Sequence, residues 1–259
     1  MNPGHQGLLL AAFIFLGILL FLEVGRRVGV RRRALDAGEG GPGAGALEAA
    51  VYGLLALLIA FTFSGAASRF DARRQLVVEE ANAIGTAYLR IDLLPPSAQP
   101  SLRETFRRYL DARVELYRKL PDVAAARAVL PKVAALQVEI WGQAVAACPK
   151  AESGSSACIL FLPALNQMID ITTTRAAAAE IHPPAIVFLM LIALALATAL
   201  LSGYNLAGGR TRKLLPMVGF AAAIAVTIYV ILDIEYPRLG LIRVDAIDHL
   251  LVDLRATMK

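Results

Sequence analysis

The 259-residue chain is 57% hydrophobic and 18% charged, with a mean hydropathy of +0.59, a formal net charge of +5 and a pI of about 9.4. Soluble domains carry roughly 45–50% apolar and roughly 25% charged residues, so composition alone sets a soluble globular protein aside. No motif that reads RNA or DNA accompanies the positive excess, which in so apolar a chain belongs to loops and headgroup contacts rather than to nucleic acid.

Gly7 to Leu22 is a first apolar run. A secretory leader places positive charge before such a run and a small-residue cleavage site after it. Here the arginines follow instead, at 26, 27, 31, 32 and 33, and none precedes, so the run reads as an uncleaved spanning helix. The stretch from Asp36 to Gly45 is Gly-rich and acidic and reads as a flexible connection.

The second span, Ala49 to Ala67, has 19 residues without a charge, about enough to cross a ~30 Å hydrocarbon core as a helix. The helical period then continues to Leu94, with Val77, Ala81, Ile84, Tyr88 and Ile91 on one stripe and Glu79, Asn82, Thr86 and Arg90 opposite. One long helix is therefore expected to leave the membrane and open an extramembrane domain. Pro95 and Pro96 end it.

That domain reads as a helical bundle from Ser68 to His182. Ser101 and Glu104 fit a capping box opening a helix through Leu120. Leu102, Phe106, Leu110, Val114 and Tyr117 form its apolar face, and Arg103, Arg107, Arg108, Arg113, Arg118 and Lys119 its solvated basic one. Further helices are expected between Pro121 and Pro131, from Lys132 to Ala147, and from about Ile159 to Ile181. Pro183 to Leu201 and Leu214 to Leu232 are the third and fourth spans, followed by a mildly amphipathic tail from Glu235 to Lys259. The predicted class is an all-α integral membrane protein with the bundle inserted between its second and third spans.

Four spans place both ends of the chain and the bundle on one side. The first loop carries five arginines and the third carries Arg210, Arg212 and Lys213, so the charge rule puts both loops in the cytoplasm. The bundle then faces the periplasm of a double-membraned cell; Arg69, Arg73 and Arg74 lie on that outer side, beside a long domain where the rule is tolerant. Cys148 and Cys158 flank a loop of small, polar residues joining two helices. In an oxidising compartment they would pair and clip that hairpin; otherwise they are two free thiols.

Chemistry is sparse. The three histidines, His5, His182 and His249, are scattered, which argues against a metal site. The loop GYNLAGGRTRKL lacks the Gly-Lys-Ser/Thr end of a phosphate loop and follows no strand. No nucleophile–base set or cofactor motif stands out, so neither an enzyme nor a bound cofactor is expected.

The second span is more suggestive. Leu55, Ile59 and Phe63 recur every fourth residue, and Thr62 and Ser64 lead a run of small and hydroxyl residues at the domain end. Copies of such a helix around an axis would form an apolar constriction opening into a hydroxyl-lined mouth, a geometry that gates ions by dewetting. The same residues also suit plain packing against lipid or a neighbouring helix. Arg69, Arg73 and Arg74 would enrich anions at the mouth, whereas Glu79, Glu80 and Asn82 would favour cations. Asp233 and Glu235 close the fourth span and either mark the membrane boundary or pair with Arg69 or Arg73, locking domain to membrane.

The segments FTFSGAASRFDARRQLVVEEANAIGTAYLRIDLLP (Phe61–Pro95) and DIEYPRLGLIRV (Asp233–Val244) resemble the bacterial bestrophin-like family, and the resemblance extends over nearly the whole chain. Kinship with bestrophins implies a pentameric anion channel with four membrane helices per subunit and a neck on the second. Leu55, Ile59 and Phe63 would be the equivalent positions. Bestrophins hold their large helical domain in the cytoplasm, whereas charge and cysteines here point outside. No acidic calcium clasp is present. The expected function is a passive, anion-conducting channel of that type, with lipids, inorganic ions and further copies of itself as partners; the alternative is a membrane-anchored scaffold or sensor whose bundle binds a protein.

Overall fold

A computed structural model describes residues 3–35, 44–120, 122–148, 156–207, 214–236, 241–242 and 245–258. The Gly-rich connection before the second span, the interior of the Cys148–Cys158 loop, the loop holding Arg210, Arg212 and Lys213, and residues 237–240 lie outside that set. Among the described residues the protein is helical, without strand. Four stretches are long and apolar enough to cross a membrane: Gly7–Ala34, Glu48–Leu93, Ser156–Leu206 and Leu214–Glu235.

The chain divides into two compact units, Met1–Arg69 with His182–Ile242, and Phe70–Ile181 with Arg243–Lys259. The tail beyond residue 242 thus belongs to the second unit and forms no body of its own.

The first unit holds α1 (Pro3–Leu35), the first half of α2 (Ala44–Leu89), α7 (Ala185–Leu206) and α8 (Leu214–Glu235). Helix α1 runs well past the apolar run, so its arginines are helical; Glu23 pairs with Arg26 and Arg27 at 2.9 Å, the spacing that supports a helix. Ile14, Ile18 and Leu22 of α1 pack against Leu191, Ala195 and Ala199 of α7 and Ala221, Ala225 and Ile228 of α8. Lipid tails are as apolar as these side chains, so close packing rather than hydrophobic burial holds such helices together. Glycine makes the approach feasible. A Cβ on Gly25 would collide with the Leu200 carbonyl, and one on Gly203 with the Leu22 carbonyl.

The second unit holds the rest of α2, a 3-10 turn (Arg90–Leu93), α3 (Gln99–Arg118), α4 (Val123–Arg127), α5 (Leu130–Ala147), α6 (Ser156–Glu180) and α9 (Asp245–Thr257). Helix α3 is central, packing on α4, α5 and α9. Its fully buried Leu102, Phe106, Tyr109 and Leu110 meet Ile84 of α2, Ile91 of the 3-10 turn and Phe161, Leu165 and Met168 of α6. Each such side chain contributes about 1.5–3 kcal/mol on leaving water.

Two local expectations are corrected. Helix α3 starts at Gln99, with Pro100 in its first turn and Ala98 as an N-cap lacking a side-chain bond, so Ser101 and Glu104 are inside it and form no capping box. Proline fits the first turn because its missing N–H would have no partner there. Arg113 does not belong to the solvated face: its side chain is buried.

Candidate functional site

Along the membrane half of α2 the sequence candidates separate. Leu55 is buried among the helices of the first unit and Ile59 packs partly against the same cluster. Phe63 is 44% exposed. A row of every fourth residue drifts about 40° per step, and the packing of the first unit falls across this row, covering its Leu55 end and leaving Phe63 half open. Thr62 turns its hydroxyl onto its own helix, donating to the carbonyls of Leu58 and Ile59 at 2.7 and 3.0 Å. The face of α2 that the unit leaves open carries Gly53, Leu57, Ala60, Ser64 and Ser68, with Leu54 and Phe61 beside it. Leu57, Ala60, Ser64 and Ser68 follow helical spacing, apolar first and hydroxyl last.

At the same end of the first unit a buried carboxylate gathers three segments. Glu235 is fully buried and accepts from Arg69 Nε at 3.0 Å to both oxygens and from Arg69 at 2.7 Å to Oε2. His182 places Nδ1 3.0 Å from Oε1, and its ring stacks on Tyr236 with centroids 4.5 Å apart. Burial of a carboxylate is tolerable only with such partners. Asp233 does something else: it accepts backbone N–H groups of Leu241 and Ile242 at 2.8–3.1 Å, fixing the chain after α8.

In the second unit Arg73 donates to the carbonyls of Ala178 at 3.0 Å and Ile181 at 2.9 Å, where the last turn of α6 leaves carbonyls unpaired. Arg74 lies near Asp71 at 3.4 Å and over the Phe70 ring. Glu79 and Asn82 are exposed. Glu80, expected with them at a mouth, points inward and is fully buried. Its carboxylate accepts from Arg113 Nε at 2.5 Å, from Arg175 and, at 3.2 Å, from the Tyr117 hydroxyl. Both guanidiniums lie over the Tyr117 ring, Arg175 at 4.2 Å and Arg113 at 5.1 Å.

Burial pushes the Glu80 pKa up, and the two guanidiniums outweigh it, holding the carboxyl below its ordinary value. Burial likewise opposes the Arg113 charge, and Tyr117 and Glu80 more than restore it. Burial raises the neighbouring Tyr109 phenol to about 12. This ionic centre was open to sequence reasoning in one way. Glu80, Arg113 and Arg175 each fall within the apolar stripe of their own helix, alongside Val77 and Ile84, Phe106 and Tyr109, and Leu165 and Met168. Charges at such positions are buried, and so must be partnered.

Cys148 and Cys158 are joined by a disulfide, with Cα atoms 5.8 Å apart, tying the end of α5 to the start of α6. Among the described residues no group of three or more His, Cys, Asp or Glu is placed to hold a metal.

The fold has close counterparts. Two crystal structures of point variants of a bacterial bestrophin homologue from Klebsiella pneumoniae superpose with TM-scores of 0.64 and 0.65, at 16% and 15% sequence identity. They cover 94% and 93% of this chain, and 97% and 98% of theirs. No curated protein matches the sequence. The model of the bestrophin-like domain matches residues 11–247, nearly the full length. A helical membrane protein with this fold and this sequence match belongs to the bestrophin-like family.

Proposed function

We propose that the chain is the subunit of an oligomeric, passive ion channel of bestrophin type, lined by the open face of α2. The observation that carries this reading is that face: Leu57 and Ala60 followed by Ser64 and Ser68, uncovered within the first unit. Several copies around an axis, five if the family pattern holds, would bring these residues into an apolar neck and a hydroxyl-lined mouth. Of the original neck candidates Phe63 stands at the edge of this face, Ile59 is half-covered and Leu55 is turned away. Anion preference rests on Arg69, Arg73 and Arg74; Arg69 and Arg73 are held by other groups, so Arg74 is the freer of the three to present charge, against Glu79 and Asn82.

We orient the second unit on the outer side of a bacterial inner membrane. The disulfide supports this, since such bonds persist in oxidising compartments, as do the arginines ending α1. Labelling of Arg74→Cys in intact cells with a membrane-impermeant maleimide tests it; no labelling until the cells are opened would reverse the orientation.

The channel reading is tested by single-channel recording of the purified protein in planar bilayers, with Leu57→Ala, Phe63→Ala and Leu55→Ala in parallel. Current steps that Leu57→Ala and Phe63→Ala alter more than Leu55→Ala are expected, and the reversal potential in a salt gradient gives the sign of the ion. Silence from well-folded oligomers moves the reading to a membrane-anchored scaffold or sensor. One observation favours that alternative: α5 presents Val138, Trp141 and Val145 on an exposed apolar face, 73%, 38% and 42% accessible.

A further inference from the structure

The first unit contains a cavity of about 310 Å³ at the end where its helices approach the short connections. Its walls are Leu22 of α1, Leu206 of α7 and Met217 and Phe220 of α8. Tyr52 and Ser202 also line it, with their hydroxyls 3.0 Å apart, and Asn205 beside them donates to Glu48. The polar atoms thus satisfy one another, and the space they border is apolar on its remaining sides.

The chain beyond Leu22 supplies the second observation. Between Leu22 and Leu35, helix α1 carries five arginines against one glutamate, Glu23. Arg26 and Arg27 engage Glu23, while Arg33 is exposed about three turns beyond Leu22 on the same face of the helix. An apolar cavity at the edge of the membrane next to a run of arginines is complementary to an amphipathic anion.

We propose that this cavity is a binding site for an anionic phospholipid. One acyl chain occupies the space walled by Leu22, Leu206, Met217 and Phe220, and the phosphate lies toward the arginine end of α1. Tyr52, Ser202 and Asn205 mark the polar boundary of the chain site.

Native mass spectrometry of the full-length protein in mild detergent tests the site, with phosphatidylglycerol or phosphatidylcholine of the same chain length added. Phosphatidylglycerol is expected to be retained in preference to phosphatidylcholine, with Arg33→Gln lowering that preference about fivefold. Leu206→Trp, which fills the cavity, is expected to lose retention of both lipids. Equal retention of the two lipids by the wild type, or an unchanged preference in Arg33→Gln, overturns the anionic assignment. Undiminished retention by a folded Leu206→Trp overturns the cavity assignment. Arg33→Gln alters an exposed side chain and so remains decisive if Leu206→Trp does not fold.

Discussion

Arg69 grips the fully buried carboxylate of Glu235 through contacts of 2.7 and 3.0 Å, joining α2 to the end of α8 inside the first unit. Removing Arg69 would take the two-pronged guanidinium away from that buried carboxylate. Arg69→Ala is therefore expected to cost about 3–5 kcal/mol, the usual consequence of removing one partner of a buried ion pair. Arg69→Lys should recover only part, because an ammonium lacks the planar fork that reaches both oxygens. Denaturant unfolding in detergent checks both; equal stability of Arg69→Ala and wild type would refute the role.

The Glu80 centre predicts an acid-sensitive second unit. Its carboxyl pKa is depressed relative to the ordinary 4.5, since Arg113 and Arg175 together overcome burial. A depressed carboxyl contributes stability that is fully present above its unfolded pKa and lost as pH falls through the folded one. Wild-type stability should hold above pH 4.5 and decline below it. Glu80→Gln should be weaker at neutral pH and flatter in acid. Unfolding midpoints across that range are the measurement, and an unchanged acid slope in the variant would count against the centre.

Reducing the Cys148–Cys158 bond, or replacing both residues by serine, should destabilise the α5–α6 connection. Closing a loop of this size restricts the unfolded chain by about 2–3 kcal/mol. The bond closes a separation of only ten residues, so the loss should appear as increased proteolysis of this loop while the rest of the second unit persists. Limited proteolysis with and without reductant reads it directly.

Gly25 and Gly203 should resist even alanine. A Cβ at either meets a backbone carbonyl of the facing helix, which cannot rotate aside as a side chain would. Each change is expected to separate α1 from α7 and cost about 1–3 kcal/mol, the range for overpacked contacts. Gly53→Ala, where nothing lies nearby, is the matched control. Thermal stability of the purified variants distinguishes them.

The membrane class, the long α2 and most helix ends were legible because they depend on local properties: apolar length, helical period and proline placement. Leu22 ends the apolar run of α1, and Pro95 and Pro96 bar any helix beyond the 3-10 turn that follows α2, whatever else the chain does. Which way each helix faces was not local. Leu55 and Leu57 are both apolar and two residues apart, yet only the packing of α1, α7 and α8 turns one inward and leaves the other open. Charge pairing was equally non-local. The sequence offered Asp233 and Glu235 to Arg69 and Arg73; the structure joins Glu235 to Arg69, gives Asp233 two backbone amides and sends Arg73 to carbonyls of α6. Composition and periodicity determine that a helix crosses a membrane and where it stops. Partners lying 33, 95 and 166 residues apart meet only when tertiary packing brings them together, because desolvation makes a buried charge depend on the particular group that reaches it.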